Sequence, residues 1–249
     1  MNNHLVRAHL YPLALARWAK DRGWGQQKLT EHYDEGAALH HLLVEMFGRA
    51  VIQPFRLMVA PGERSANLYA YTRFDAEELR RTAFSVSLPD TAAVLDPGQI
   101  QSKVMPASWY INQRIGFDIR LRPVVRQRRT TKAQEIDVFL AEALRDHKND
   151  RTGMNRTGRC REAVYSDWLA ARLNGIAMVE RARLVRFQRS KAVRNCRVVE
   201  GPDAVIQGNL IVSDPEAFNN RLIEGIGRHR AYGYGMILLR PPDTRPPTC

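Results

Sequence analysis

Cysteine is scarce: Cys160, Cys196 and Cys249 are the only three in 249 residues, far apart and with no CxxC pair. Such spacing offers neither a disulfide framework nor a zinc module, so reduced thiols are expected. Long apolar runs are missing too. No stretch approaches the ~20 consecutive apolar residues of a membrane span, and the opening MNNHLVRAHLYPL lacks the apolar core of a signal peptide. A cytoplasmic chain without a membrane partner is expected. Acids are the third shortage, with 26 Asp+Glu against 38 Lys+Arg and a net charge of +12. A polyanionic partner follows, because a basic excess concentrates phosphate backbones and gains from counterion release. Composition alone leaves DNA, RNA and anionic lipid open, and also a merely basic soluble protein. The 44% apolar content suffices for one large folded domain or two small ones.

The basic residues are not spread evenly. Arg114, Arg120, Arg122, Arg126, Arg128, Arg129 and Lys132 meet one acid, Asp118, and the run Arg181, Arg183, Arg186, Arg189, Lys191, Arg194 and Arg197 meets none. Solvated helices usually mix signs, so these runs read as a surface that tracks phosphates. Arginine dominates both; its planar guanidinium grips phosphate bidentately and stacks on unpaired bases, which suits folded or single-stranded RNA at least as well as duplex DNA. No zinc-finger spacing and no basic region leading into heptads is present.

Periodicity predicts the elements. His4 to Leu10 reads as a strand closed by Pro12, followed by a loop from Lys20 to Tyr33. Leu39, Leu42, Leu43, Met46 and Phe47 recur at helical spacing, which makes Asp34 to Arg49 an amphipathic helix capped by Asp34. FRLMV (Phe55 to Val59) and NLYAYTRF (Asn67 to Phe74) form a hairpin around Pro61-Gly62, and Asp75 starts a short helix. The extended region from Gln99 to Val125 supplies the last strand or hairpin of a β-α-β-β-α-β order, the ferredoxin-like arrangement. Beyond it, Ala133 to Arg145 and Arg161 to Leu173 read as helices around a mobile or partner-dependent insert, His147 to Cys160. Strands follow at Ala182 to Arg189, Asn195 to Val199 and Ala204 to Val212. Asp214-Pro215 opens a helix that Gly225 ends, and Tyr232 to Leu239 returns as a strand. The expected class is α+β: two tandem ferredoxin-like lobes, 1–126 and 127–249, with a basic helical insert at about 127–173 in the second. A single split domain remains the alternative.

Residues 225–235 read G-I-G-R-H-R-A-Y-G-Y-G between a helix and a strand. A dinucleotide loop needs strand, glycines, then helix, and a Walker loop needs Gly-Lys-Ser/Thr; both fail here. What remains is either a glycine cap followed by a kinked strand, or a loop whose amides at Gly225 and Gly227 approach a phosphate while Arg228, His229 and Arg230 add charge. The stretch VVEGPDAVIQGNLIVSDPEAFNNRLIEGIGRHRAYGYGMILLRPP resembles the carboxy-terminal segment of CRISPR repeat-processing endoribonucleases, above all the CasE type. There a strand, a D-P helix, a G-h-G-x-x-K/R-A-h-G-h-G loop (h apolar) and a final strand follow in this order and spacing. ALHHLLVEMF (Ala38 to Phe47) is similar to the family's L-H-x-x-L-x-x-x-F helix, and GFDIRLRPVVR (Gly116 to Arg126) to its R-h-R-x-x-P-x-x-R strand. The resemblance implies two lobes of the RAMP superfamily, a stem-loop repeat RNA as substrate, and cleavage without a metal. Two departures stand out: the family's tyrosine three residues before the histidine is Ala37, with Tyr33 a candidate replacement, and its loop lysine is Arg230. The longer, more helical connection from Arg126 to Arg161 points to a divergent subtype, a counterpart serving type IV systems.

Such cleavage deprotonates a 2′-OH, stabilises a phosphorane-like transition state and protonates the departing 5′-oxygen. Imidazole titrates near the working pH, and general acid-base catalysis contributes about 10²- to 10⁴-fold. At about 100° per residue with Leu39 at zero, His40 falls near +100°, the edge of the apolar stripe, and His41 near 200°, toward water. His40 is thus the catalytic candidate. Arg230 and Arg228 would clamp the scissile phosphate. His229 competes with His40: flanking arginines favour its neutral, proton-accepting form, though it is equally placed to stack on a base or sit in solvent. Arg17, Lys20 and Arg22 reach toward the same groove or lie in a solvated loop. RNA contacts are expected from them and from Arg120, Arg122, Arg126, Arg128, Arg129, Arg183, Arg186, Arg189, Lys191 and Arg194. His4, His9, His32 and His147 show no ligand spacing, so no metal and no cofactor is expected; Trp109 and Trp168 read as core anchors. The leading expectation is an enzyme that cuts CRISPR precursor RNA at the base of each repeat hairpin, leaving a 2′,3′-cyclic or 3′ phosphate and a 5′-OH, and retains the mature crRNA for other Cas effector-complex subunits. The alternatives are a non-catalytic RNA-binding subunit of such a ribonucleoprotein and an unrelated basic DNA-binding protein.

Overall fold

The computed structural model describes residues 3–24, 33–129, 132–146, 159–194 and 197–244. In chain order the first half forms β1 (His4–Leu10), α1 (Pro12–Asp21), α2 (Glu35–Phe47), β2 (Phe55–Val59), β3 (Ala66–Thr72), α3 (Ala76–Val86), the single turn α4 (Pro89–Ala92) and β4 (Gln101–Val104). The strands make one antiparallel sheet in the order β2-β3-β1-β4. Helix α2 starts where Asp34 accepts the Ala37 amide at 3.0 Å, and buries Leu39, Leu42, Leu43 and Met46 against Leu10, Leu68 and Leu79. Each such side chain contributes about 1.5–3 kcal/mol when fully buried. α1 was not anticipated: Pro at its first position starts it and Leu15, Trp18 and Ala19 bury its inner face.

The second half forms β5 (Arg114–Leu121), β6 (Val124–Arg129), β7 (Lys132–Asp137), α5 (Val138–Asp146), α6 (Arg161–Leu173), β8 (Ala177–Arg194), β9 (Arg197–Val212), α7 (Pro215–Glu224), a 3-10 turn (Arg230–Tyr232) and β10 (Ile237–Arg240). Its sheet order is β10-β5-β9-β8, again antiparallel, while β6 and β7 pair only with each other. The protein is therefore α+β with two four-stranded antiparallel sheets, and each sheet is built in the order β-α-β-β-α-β.

Several expectations need correction. β5, expected to complete the first sheet, opens the second, pairing with β9 from Arg114↔Ile211 to Leu121↔Ala204. The sheets thus divide between Val104 and Arg114 rather than at 126/127. The insert is not helical throughout: residues 133–137, read as the start of a helix, belong to β7 and pair with β6, and only from Val138 does α5 begin. The three strands expected between Ala182 and Val212 are one long hairpin, β8–β9. The final strand starts at Ile237, five residues later than expected, because Arg230 to Tyr232 is wound into the 3-10 turn. Most of the expected mobile insert, 147–158, lies outside the described residues. Trp109 and Trp168 are both 7% exposed, as core anchors should be.

Two buried contacts tie the sheets together. The Tyr71 hydroxyl on β3 donates to the Ile237 carbonyl on β10 at 2.9 Å, and Arg56 on β2 meets Asp118 on β5 at 3.2 Å. Among the described residues no helix is long and apolar enough to cross a membrane.

Candidate functional site

The glycine-rich loop closes on itself at its neck. Ile226 N–H donates to the Gly235 carbonyl and Gly235 N–H to the Arg120 carbonyl, both at 2.8 Å. Between these bonds Gly225, Gly227, Gly233 and Gly235 take φ of 73–83°, and His229 takes 62°. A histidine in the left-handed region is strained and held there by its surroundings. Gly227 lies over Trp168 of α6, and Gly36 in the first turn of α2 lies under Tyr232. A Cβ at Gly36 would stand 2.9 Å from the Tyr232 carbonyl, so only glycine lets α2 meet the loop.

That contact assembles the candidate residues. The His40 ring, half-buried on α2, is 5.1 Å from the Tyr232 ring, and the His229 ring is 6.2 Å from the same tyrosine. Tyr234 follows at 6.4 Å from His229. Two histidines 189 positions apart in the chain (229 − 40) thus flank one tyrosine at the seam between the lobes. His41 differs from expectation: instead of facing water it stacks on Trp24 at 4.2 Å, and the accompanying burial lowers its pKa. Arg230 donates to the Glu224 carbonyl at 2.6 Å, where a cation complements the end of α7.

His229 is not left between two arginines. Glu135 on β7 reaches into the loop, with one carboxylate oxygen 2.8 Å from His229 Nε2 and the other on Arg228 Nε. Glu135 thus sets an anion against the two cations that flank His229 in sequence. The same contacts pull the Glu135 carboxyl down to about 2: the His229 hydrogen bond leads, and the charges of His229 and Arg228 add to it against desolvation. A carboxylate whose folded pKa lies below its unfolded value of about 4.3 stabilises the fold fully above that pH and ceases to do so as pH falls toward 2. Glu135→Gln should accordingly unfold at lower urea than the parent near neutral pH. Urea titrations in a pH series should show the gap shrinking from about pH 5 to about pH 3.

The arginine runs, poor in acids along the chain, meet acids in space. Arg120 is held bidentately by Asp203 at 2.8 and 2.7 Å and lies over the Tyr234 ring at 4.5 Å. Arg122 is 2% exposed and donates to Ser190 Oγ at 3.1 Å and the Val199 carbonyl at 3.0 Å. Arg22 bonds Asp90 at 2.6 Å and lies over Trp18. These three, expected on RNA, all make contacts within the fold. Arg186 and Arg189 are exposed but meet Asp203 at 3.7 Å and Glu200 at 2.6 Å. Arg17, Lys20, Arg126, Arg183 and Lys191 are exposed. Arg128, Arg129 and Arg194 lie on described strands, with side chains outside the described set. The β8–β9 ribbon carrying Arg186, Arg189 and Lys191 continues past Ala204, the last β9 residue paired with β5.

A cavity of about 380 Å³ opens beside the seam, lined by Tyr33, Glu35, Gly36, Tyr232 and Tyr234 together with the base of the β8–β9 ribbon. The Tyr33 hydroxyl is buried there with no partner among the described residues, and burial raises its pKa. Tyr232 and Glu135 were not anticipated. Tyr232 sits at a position that the loop pattern treats only as apolar, and nothing local connects Glu135 to residues 93 and 94 positions away. Among the described residues no three His, Cys, Asp or Glu side chains are grouped to hold a metal.

Residues 4–241 match a family described as CRISPR associated protein. The fold is shared with Cse3 of Thermus thermophilus bound to an RNA representing a pre-cleavage complex, at TM-score 0.62 and 20% identity over 97% of this chain and 100% of that one. The CRISPR-associated protein Cas6e of Escherichia coli K-12 is similar at TM-score 0.61 and 16% identity, over 96% and 99%. So is a chain of a CRISPR RNA-guided surveillance complex in a pre-nicking state, at TM-score 0.59 and 14% identity, over 95% and 99%. No curated protein sequence matches.

Proposed function

This chain belongs to the family of CRISPR-associated proteins, and on that premise we propose that it is an endoribonuclease that cuts CRISPR precursor RNA within the repeat, at the base of its stem-loop. Its two ferredoxin-like lobes place an imidazole from each lobe against Tyr232, with Arg228 and Arg230 in the same loop; this juxtaposition carries the proposal. In the reaction the 2′-oxygen loses its proton to an imidazole and attacks phosphorus. The bond to the 5′-oxygen breaks, and that oxygen takes a proton from an imidazolium. The products are a 2′,3′-cyclic phosphate and a 5′-OH. His40 and His229 exchange the protons, while Arg228, Arg230 and the amide of Gly227 meet the charge that builds on the phosphorane. The Gly225 amide, expected beside them, instead donates to the Arg221 carbonyl at 2.9 Å, where it caps α7. Each of these roles is filled by a protein side chain or amide, in keeping with the metal-independent cleavage that the resemblance implies. The basic β8–β9 ribbon and the exposed Arg17, Lys20, Arg126 and Arg183 bind the stem, and the product remains bound for an effector complex.

A second reading, a non-catalytic RNA-binding subunit, draws on Glu135, which occupies Arg228 and His229, and on Ala37 where the resembling helix carries tyrosine. An end-labelled repeat hairpin incubated in excess EDTA, beside one with a single 2′-deoxy at the cut, separates the two. Cleavage in EDTA that the single deoxy abolishes is expected. Tight binding without cleavage would establish the second reading instead.

A further inference from the structure

Most groups that line the cavity beside the seam are engaged within the fold, but not all of them. Tyr232 forms part of its wall while also standing 5.1 Å from His40, so an occupant would lie next to the candidate cleavage centre. Tyr232 and Tyr234 supply aromatic surface. Arg120 and Asp203 also line it but satisfy each other. The Tyr33 hydroxyl is not satisfied: it is buried with no hydrogen-bond partner among the described residues, and Glu35 feels the charges of Arg120 and Arg186 without a hydrogen bond to either. A half-buried carboxylate with no donor costs free energy that a ligand's N–H groups would offset. Desolvation raises the Glu35 pKa, in keeping with such a carboxyl. At the rim Lys191 is exposed and makes no ion pair with a described residue. A flat aromatic ligand with hydrogen-bond donors on its edge and a phosphate beyond it answers all of these features.

We propose that this cavity receives one unpaired RNA base from a nucleotide flanking the scissile phosphate, stacked on Tyr232 or Tyr234 and read on its edge by Glu35 and Tyr33. The volume lies within the range of built small-molecule pockets, far too small for a base pair in its duplex. A base taken out of its stack is held by aromatic faces and by hydrogen bonds to its edge. A carboxylate accepts, so a base with amino donors fits; guanine, with adjacent N1–H and N2 amino donors, fits best, and uracil, whose single donor lies between carbonyls, fits worst. Lys191 meets the phosphate of the same nucleotide. The position of that nucleotide beside the cut rests on the cleavage reading; the base site itself does not.

The test uses the full chain and repeat hairpins made uncleavable by one 2′-deoxy, each with an abasic site at one nucleotide flanking the cut. Affinity is measured for the parent, for Glu35→Gln and, as a second near-isosteric variant, for Tyr33→Phe, with thermal melts to confirm folding. At one position loss of the base should weaken parent binding about tenfold. Glu35→Gln should weaken binding of intact RNA similarly and leave the abasic RNA at that position unchanged, and guanine there should bind better than uracil. If every flanking abasic site is tolerated, or if the base and Glu35 effects simply multiply, the base site is wrong. Cleavage of the all-ribose hairpin is scored separately. Coupling without cleavage would overturn the nuclease reading and keep the base site, and cleavage without coupling would do the reverse.

Discussion

Replacing His40 by alanine should lower the cleavage rate by about 10²- to 10⁴-fold, the usual worth of a positioned acid or base, while RNA affinity changes little. The expectation rests on placement. The apolar stripe of α2 is anchored by Leu39, Leu42, Leu43 and Met46, all 3% exposed or less, so the half-buried imidazole at its edge is not what holds the helix. Its ring instead meets Tyr232 of the other lobe. Single-turnover cleavage and filter binding on one preparation separate rate from affinity. His41→Ala supplies the contrast: that ring is stacked on Trp24 and should matter for stability more than for rate. A His40→Ala protein that cleaves at the parent rate would move proton transfer to His229. That outcome would be checked with Glu135→Gln, which leaves His229 without its carboxylate partner.

The largest stability effect should come from Asp203. Its side chain is fully buried, takes both bonds of Arg120, accepts from Gln188 at 2.9 Å and lies 3.7 Å from Arg186. Burial, the largest single influence, would raise its pKa, but the hydrogen bonds and charge of Arg120, together with Gln188 and Arg186, hold it below the ordinary carboxylate range. Asp203→Ala would leave Arg120 charged, largely buried and unpaired, which costs about 3–5 kcal/mol. For a chain of this size that corresponds to a fall in Tm of roughly 6–20 °C. The loss should extend to activity, because the Arg120 carbonyl receives the Gly235 amide that closes the loop. Differential scanning calorimetry checks the first part and single-turnover cleavage the second. Glu200→Ala, which removes the solvent-exposed partner of Arg189, should barely move Tm. If the two variants melted alike, Asp203 would not be the anchor its burial indicates.

Much of the secondary structure was legible because its signals are local. The heptad-like leucines and Asp34 define α2, Asp214-Pro215 and Gly225 bracket α7, and the alternation in β1 and the first half of β3 shows in their burial. Misreadings fall where pairing overrides local preference. Lys132–Asp137 contains good helix formers, yet its backbone finds partners in β6 and it becomes a strand. β5 reads correctly as a strand, but nothing within it says which sheet it joins; its partners β9 and β10 lie some 80 to 120 residues further along the chain.

The same division applies to the site. Charge, the glycine-rich loop and the histidine helix are properties of residue type and spacing, so the sequence alone determined the family resemblance, the expectation of a polyanionic partner and the choice of His40, Arg228, His229 and Arg230 as candidates. Only the tertiary structure decided which candidates meet and which cations are already neutralised. Tyr232 joins His40 to His229, Glu135 claims Arg228 and His229, and Asp203 takes Arg120 from the expected RNA surface. The physical reason is that a charge acts through distance and burial, not chain separation: Arg120 and Asp203 are 83 positions apart in the chain and 2.7 Å apart in space.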